Sequence, residues 1–573
     1  MGVKLRHLLE MRQAVPLSWS PDGERLLVLS NVPGTHQLYE WPGMTQLTDY
    51  DEPVSGQFLP DGRILVEVYE GGNERTQLHV LEPNGETAPL VSDPRYAHWT
   101  AHADGRLLAY ATNRRNGVDF DVVVHDLGSG EEQVFELEGN NSVAAVSRDG
   151  RYVAVDRVGE RSGDNDLLLC DVATGDVSLL TPHDEAAEFY SPHWTDDGVV
   201  LSTNHGRDTF AIVRDGQTLF ASRWDVELAA DDEATVLLAL ENADGYSRLQ
   251  LLGREEVPLP GRGVVDHPVF SPDGSKLAFA FSTPVDPNDV YVYDLGARSL
   301  DRLTTSPREV DVATLVEPEL HRFESFDGES IPVFLFEPEG DGPFPVLVTV
   351  HGGPESQWRP WYAPSFAPLT QYLVRHGYAV AAPNVRGSPR YGKRYEHLDD
   401  AERRLDSVRD LEALHGWLRT RPAVDCSRAV VYGRSYGGYM VLAALAFQPE
   451  LWAAGVEAVG IASLVTFLEN TSPYRRAARE REYGSLEHDR AFLERASPLT
   501  HVDAIRAPLF IQHGRNDPRV PVSESEQIAA VLHANGVECE LLVFEDEGHT
   551  VEKLQNRVEM FERAVQFLDR VLS

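Results

Sequence analysis

An Asp-Gly step followed by an apolar run recurs at nearly even intervals through the first half of the chain. Trp19-Ser20-Pro21-Asp22-Gly23 leads into Leu26-Leu27-Val28-Leu29, and Phe58-Leu59-Pro60-Asp61-Gly62 leads into Ile64-Leu65-Val66. Phe270-Ser271-Pro272-Asp273-Gly274 leads into Leu277-Ala278-Phe279-Ala280, and shorter versions begin at Asp104, Asp149 and Asp197. Asp-Gly supplies the positive φ of a tight turn and the flanking β-rich runs supply strands, so each unit reads as a hairpin. The steps are 39, 43, 45, 48 and 76 residues apart. The last gap is close to two periods, which places a degenerate unit around Asp231 to Glu241. Seven units of about 40 residues match the period of four-stranded propeller blades, which an irregular β-sandwich pair does not require. The expectation for residues 1–315 is therefore an all-β, seven-bladed β-propeller, with a short helix before Leu17.

Near residue 315 the pattern changes. Val346 to Val350, Ala379 to Ala382 and Ala429 to Tyr432 are apolar strands, while Asp406 to Arg419 and Tyr439 to Phe447 read as helices. Strands alternating with helices predict a doubly wound α/β domain with a mostly parallel sheet over residues 316–573, of the α/β-hydrolase type.

The second half also carries the chemistry. Gly433-Arg434-Ser435-Tyr436-Gly437-Gly438 lies between an apolar strand and an apolar helix, the setting of a nucleophile elbow. A serine needs a base, and the base needs an orienting carboxylate, in the chain order Ser, Asp, His on this fold. Strand Leu509 to Gln512 runs into a loop holding Asp517, and strand Glu540 to Phe544 runs into Glu545-Asp546-Glu547-Gly548-His549. Asp517 and His549 thus fall at strand ends, where α/β sheets place their sites. His513 reads as structural and Glu547 as a solvated loop acid. An oxyanion would be held by the backbone N–H of Tyr436 and by an N–H of the loop His351-Gly352-Gly353-Pro354.

These motifs, with Asn384-Val385-Arg386-Gly387-Ser388 and His513-Gly514-Arg515-Asn516-Asp517-Pro518-Arg519-Val520-Pro521, resemble the prolyl oligopeptidase family of serine peptidases across essentially the whole chain. The likeness is nearest to the acylaminoacyl-peptidase-like branch and its bacterial aminopeptidase relatives. It implies Ser435, Asp517 and His549 as a catalytic triad, and Tyr436 and Gly353 as backbone oxyanion donors. It also implies Arg519 as a substrate contact near the triad. Where prolyl oligopeptidase proper and the dipeptidyl peptidases begin the Gly-Gly loop with tyrosine, this chain has His351. The acidic Glu-Glu run of the dipeptidyl branch is not found. Pro389-Arg390-Tyr391-Gly392 stands where the family more often has Gly-Tyr-Gly. The segment after the nucleophile helix walls the side-chain pocket in relatives, which nominates Phe467, Leu468, Glu469 and Tyr474 as substrate-binding residues and implies a hydrophobic or aromatic preference.

The expected activity is a serine peptidase acting through an acyl-enzyme on short peptides or aminoacyl amides, from their N-terminal end. An esterase or small-molecule amide hydrolase on the same triad, or a propeller scaffold with an idle hydrolase, are the alternatives. No metal-ligand spacing is visible, and the chemistry calls for no cofactor. With Lys+Arg at 51 and Asp+Glu at 91, the net charge of −40 disfavours nucleic acid and anionic membrane partners, and at long range favours neutral or cationic substrates. Cys170, Cys426 and Cys539 are widely spaced and odd in number, and charges interrupt any apolar core near the N-terminus. A cytoplasmic location is expected, with a homo-oligomer left open.

Overall fold

The computed structural model describes residues 3–82 and 85–572. Seven four-stranded antiparallel sheets follow one another along the chain, spanning residues 14–46, 54–91, 98–135, 141–179, 189–221, 226–257 and 264–302. Each predicted Asp-Gly step joins the first and second strands of its blade, and all six glycines have positive φ, from 58° to 128°. The degenerate unit is blade six. Its first turn, Asp231-Asp232-Glu233-Ala234, uses Ala234 at φ 49° in place of glycine, which is why the motif is missing there.

Every blade is built from consecutive strands, so no strand is shared between the first and last blades. Ala14 N–H donates to Asn288 O at 2.9 Å across this closure. Arg12 N–H donates to Pro307 O at 3.0 Å beside it, and the apolar seam is side-chain packing: Ala14, Trp19, Leu26, Val28 and Tyr39 of blade one against Ala278, Val290 and Val292 of blade seven. Trp19 Nε1 also donates to Val269 O at 3.3 Å.

The α/β domain is an eight-stranded sheet. Its strands are β1 (Glu319–Glu324), β2 (Ser330–Phe336), β3 (Phe344–Val350), β4 (Ala379–Pro383), β5 (Val424–Arg434), β6 (Ala454–Ala458), β7 (Leu509–Gly514) and β8 (Cys539–Phe544). The spatial order is β1-β2-β4-β3-β5-β6-β7-β8, antiparallel from β1 through β2 to β4 and parallel elsewhere. Helices Arg404–Leu418, Tyr436–Phe447 and Ser523–Ala534 cover one face, and Ala367–Arg375 and Leu554–Leu572 cover the other. The helix after the elbow is apolar all round and buried along nearly its whole length, as a helix at the centre of a two-sided core must be.

The N-terminal helix, Leu5–Leu9, packs chiefly against the α/β domain, while Leu8 shares a cluster with Val285 of blade seven. Leu5 and Leu9 enter the core beside Phe561, and Tyr362 Oη donates to Leu8 O at 2.8 Å. Physically, then, the first residues join the α/β half. Among the described residues, no helix is long and apolar enough to cross a membrane.

Because the propeller closes through side chains, Trp19→Ala should weaken it by about 3–5 kcal/mol, the usual cost of emptying a large aromatic site. Urea denaturation followed by circular dichroism measures this. A loss below about 1 kcal/mol, the net worth of a single hydrogen bond, would show that backbone bonding rather than packing holds the seam.

Candidate active site

The residues singled out on chemical grounds all follow C-terminal ends of parallel strands: His351 after β3, Ser435 after β5, Asp517 after β7 and His549 after β8. The propeller sits over this same edge. Asn242 Nδ2 donates to Gln357 Oε1 at 2.8 Å, and Arg359 Nε donates to Gly245 O at 2.9 Å.

Ser435 occupies a strained turn at φ 60°, ψ −120°. A side chain on Gly433 would place its Cβ 2.2 Å from Gly437 O, and one on Gly437 would place it 2.2 Å from Val350 O. Strand, helix and the β3 loop therefore meet backbone to backbone around the serine. Ser435 Oγ lies 3.0 Å from His549 Nε2, and His549 Nδ1 lies 2.7 Å from Asp517 Oδ2. The other carboxylate oxygen of Asp517 accepts the N–H of Arg519 at 2.8 Å and of Val520 at 3.0 Å. Burial alone would raise the Asp517 pKa, but His549 and His513 outweigh it and hold the carboxyl well below its usual range. For His549, burial dominates the opposing pull of Asp517, so its pKa falls below 6.5 and the ring is neutral at neutral pH.

Glycines also lock the two loops that carry Asp517 and His549. A Cβ on Gly514 would sit 2.1 Å from Gly548 O, and a Cβ on Gly548 would sit 2.0 Å from Gly72 O. Gly72 belongs to the propeller. Its neighbour Gly71 accepts from Asn516 Nδ2 at 2.9 Å, and Glu74 accepts from Arg519 Nε at 2.7 Å.

The β3 loop lies against the nucleophile: a Cβ on Gly352 would be 3.5 Å from Ser435 Cβ, and Gly353 borders the same cavity as Ser435. The His351 ring is fully engaged elsewhere, with Nδ1 donating to Gly352 O at 2.7 Å and Nε2 2.8 Å from Ser388 Oγ. Burial lowers its pKa to about 4. Tyr436 turns its side chain away from the cavity, where its hydroxyl donates to Asp399 at 2.9 Å. Arg404, fully buried, pairs with Asp399 and Glu482, and its guanidinium lies 5.2 Å from the Tyr436 ring and 4.9 Å from the Tyr483 ring. Burial pushes the Asp399 carboxyl up to about 8.

The cavity holds about 490 Å³ and is bordered by Ser435, His549, Gly353, Phe467, Tyr483 and Arg519, with further residues. Phe467 and Arg519, both nominated from the sequence, are on its border. Phe467 meets Tyr483 edge-on, with ring centroids 5.7 Å apart. The other nominated wall residues are not. Leu468 points into the core of the domain, fully buried. Glu469 is exposed and paired with Arg490 at 3.1 Å. Successive residues of a helix turn by about 100°, so in Leu464–Asn470 only one of these three neighbours can face the cavity. Tyr474 packs edge-on against Trp99 and Phe120 of blade three, at 5.3 and 5.6 Å, and serves the domain seam.

Glu547 is likewise not solvated. It is buried and accepts from the N–H groups of Glu552 and Lys553, both at 3.0 Å, which pins the segment after His549. His513 is buried between Ser525 Oγ at 2.7 Å and Val520 O at 2.9 Å, a bracing position. Sequence reading missed Glu355, Arg475 and Arg479 as cavity residues. The i, i+4 spacing of the two arginines on one helix was the available signal.

Two family models match this chain: "Prolyl oligopeptidase family" over residues 364–573 and "Prolyl oligopeptidase, N-terminal beta-propeller domain" over residues 55–305. A dipeptidyl aminopeptidase BIII from Pseudoxanthomonas mexicana is 26% identical over 594 residues, covering 94% of this chain and 84% of that protein. An acylamino-acid-releasing enzyme 1 from Oryza sativa subsp. japonica is 27% identical over 38% of this chain and 29% of its own. The structure of a puromycin-hydrolyzing peptidase from Mycobacterium tuberculosis matches the fold with a TM-score of 0.85 at 19% identity, covering 100% of this chain and 96% of that one. With both halves of the family's architecture present in order and a serine, a histidine and an aspartate in hydrogen-bonded sequence at the sheet edge, the chain belongs to the prolyl oligopeptidase family of serine peptidases.

Proposed function

We propose that this peptidase releases residues from the N-terminal end of short peptides or aminoacyl amides through an acyl-enzyme on Ser435. The observation that carries this is the Ser435–His549–Asp517 chain of contacts, at 3.0 and 2.7 Å, opening on a cavity lined by the α/β domain at its strand ends. His549, neutral, takes the proton of Ser435 as Oγ attacks the scissile carbonyl. It returns that proton to the leaving amine, and water repeats the sequence on the ester. Asp517 holds the imidazole with Nδ1–H toward itself, so Nε2 is left to accept. The developing oxyanion is received by the backbone N–H groups of Tyr436 and Gly353, a reading supported by the His351 ring being occupied by Gly352 and Ser388.

Phe467, Tyr483, Ile461 and Val520 make one wall of the cavity apolar, which suits a hydrophobic or aromatic side chain before the scissile bond. The propeller over the strand ends suits short, extended substrates. Arg519 borders the same cavity, with its backbone N–H on Asp517 and its side chain on Glu74, which supports a contact with the substrate backbone.

Asp517→Asn should reduce turnover about 10⁴-fold, because an amide N–H facing Nδ1 selects the wrong imidazole tautomer. Steady-state kinetics on a phenylalanyl anilide test this, and more than a tenth of the activity remaining would remove Asp517 from the relay. In the native enzyme, kcat/KM should rise with pH as His549 loses its proton. The midpoint should lie below the ordinary imidazole value of 6.5, because burial disfavours the charged ring. A midpoint at or above that value would contradict a buried, neutral base. In a length series sharing one cleavage site, kcat/KM should collapse beyond some tens of residues, with casein essentially uncut. Equal rates on casein and a tripeptide amide would mean the propeller does not restrict access, and rapid cleavage of esters alone would favour an esterase.

A further inference from the structure

The chain as a whole is strongly acidic, with a net charge of −40, yet the cavity at Ser435 is bordered by four guanidinium groups, Arg434, Arg475, Arg479 and Arg519. Glu355 is the one carboxylate among its described lining residues. The partners of these arginines can be followed individually. Arg479 is held by both oxygens of Glu355, at 3.1 and 3.2 Å. Arg519 is held by Glu74 of the propeller at 2.7 Å. Arg434 donates to neutral groups, His549 O at 2.9 Å and Thr550 Oγ1.

Among the described residues, Arg475 has no such anchor. The near carboxylate is again Glu74, with Oε2 at 3.9 Å, beyond hydrogen-bond distance and already engaged with Arg519. Arg475 and Arg479 stand one turn apart on helix Pro473–Tyr483, so both reach the cavity from one face. That face is oriented by Tyr474, whose ring packs edge-on against the stacked pair Trp99 and Phe120 of blade three. Burial and the nearby charges of Arg519 and Arg479 all work against the Arg475 cation. A domain-bolting role would call for a closer ion pair than 3.9 Å. A guanidinium turned into a substrate cavity with its donors unspent is instead suited to an incoming anion, and its planar fork is matched to a carboxylate.

We propose that Arg475, backed by Arg479 and Arg519, binds a carboxylate of the substrate, so that the enzyme selects peptides carrying an acidic group close to the scissile bond. This rests on the peptidase reading above and adds the substrate class to it. The carboxylate has two sources: an acidic side chain preceding the residue in the apolar pocket, or the free α-carboxylate of a short peptide's leaving half. In both cases contact chemistry overrides the distant repulsion of the acidic surface, which solution ions screen beyond about 8 Å.

The test uses two matched pairs. N-acetyl-Glu-Phe-p-nitroanilide is compared with its Gln counterpart, and N-acetyl-Phe-Ala with its C-terminal carboxamide. In the native enzyme one pair should favour the acid by about tenfold or more in kcat/KM, the worth of a charge-assisted hydrogen bond. Arg475→Gln should bring that ratio to about one, and Arg475→Lys should keep part of it. The same preference should appear as a ratio of Kd values in a Ser435→Ala background, which reads binding without chemistry. Ratios near one in both pairs, or a ratio untouched by Arg475→Gln, would overturn the proposal. The neutral members, with free phenylalanyl anilide beside them, report separately: if the native enzyme cleaves none of the three, the peptidase reading fails, while the Kd ratio still decides whether Arg475 recognises a carboxylate.

Discussion

Backbone contact between Gly72, Gly514 and Gly548 is the constraint from which the rest of the site follows. These residues come from a propeller loop, the end of β7 and the loop before His549, and each leaves no room for a Cβ against the next. Asp517 is three residues beyond Gly514, and His549 directly follows Gly548. The hydrogen bond between Asp517 and His549 is therefore set by main-chain packing, which has few ways to relax, rather than by flexible side chains. Because Gly72 closes the stack from the other domain, the propeller is part of the catalytic edge's support and not only a cover over it. Asn516 and Arg519 add bonds across the same seam, to Gly71 and Glu74.

A second support lies behind the nucleophile. Arg404 is buried between Asp399 and Glu482, with the rings of Tyr436 and Tyr483 close to its guanidinium. Tyr436 follows Ser435, and Tyr483 borders the cavity that Ser435 opens into. One buried cation thus links the turn that carries the serine to the wall that would receive a substrate side chain. Removing Arg404 would leave two buried carboxyl groups without a counter-charge, which is far more costly than the pairing itself is stabilising. Ser162 of the propeller also donates to Glu482, at 2.8 Å, so this network too reaches across the domain seam.

The local field differs from the global one for the same architectural reason. Exposed acids dominate the composition, but the arginines at the cavity come from β5, from helix Pro473–Tyr483 and from the loop after β7, segments brought together only by the sheet and the seam. Net charge governs long-range attraction, whereas specificity is decided by groups within hydrogen-bonding reach.

Much of this molecule was legible in its residues. Asp-Gly turns at one period needed no tertiary information, since the positive φ of a tight turn is a local demand, and six such turns specified the blades. The strand–Gly-x-Ser-x-Gly–helix context and the order Ser435, Asp517, His549 were equally local. Blade six closes its first turn through Ala234 and carries no motif, so only the doubled gap between Asp197 and Asp273 located it. What lies outside local chemistry was misplaced. Leu468, Glu469 and Tyr474 are near Phe467 in sequence, but helix rotation and the edge-on contact with Trp99 and Phe120 send them to the core, the solvent and the seam. Glu547 reads as a solvated acid until the N–H groups of Glu552 and Lys553 are seen to enclose it. The sequence by itself determined which elements form and which groups can react. Tertiary structure alone decided which arginines and aromatic rings face the reacting serine, because a side chain's direction depends on what its element packs against.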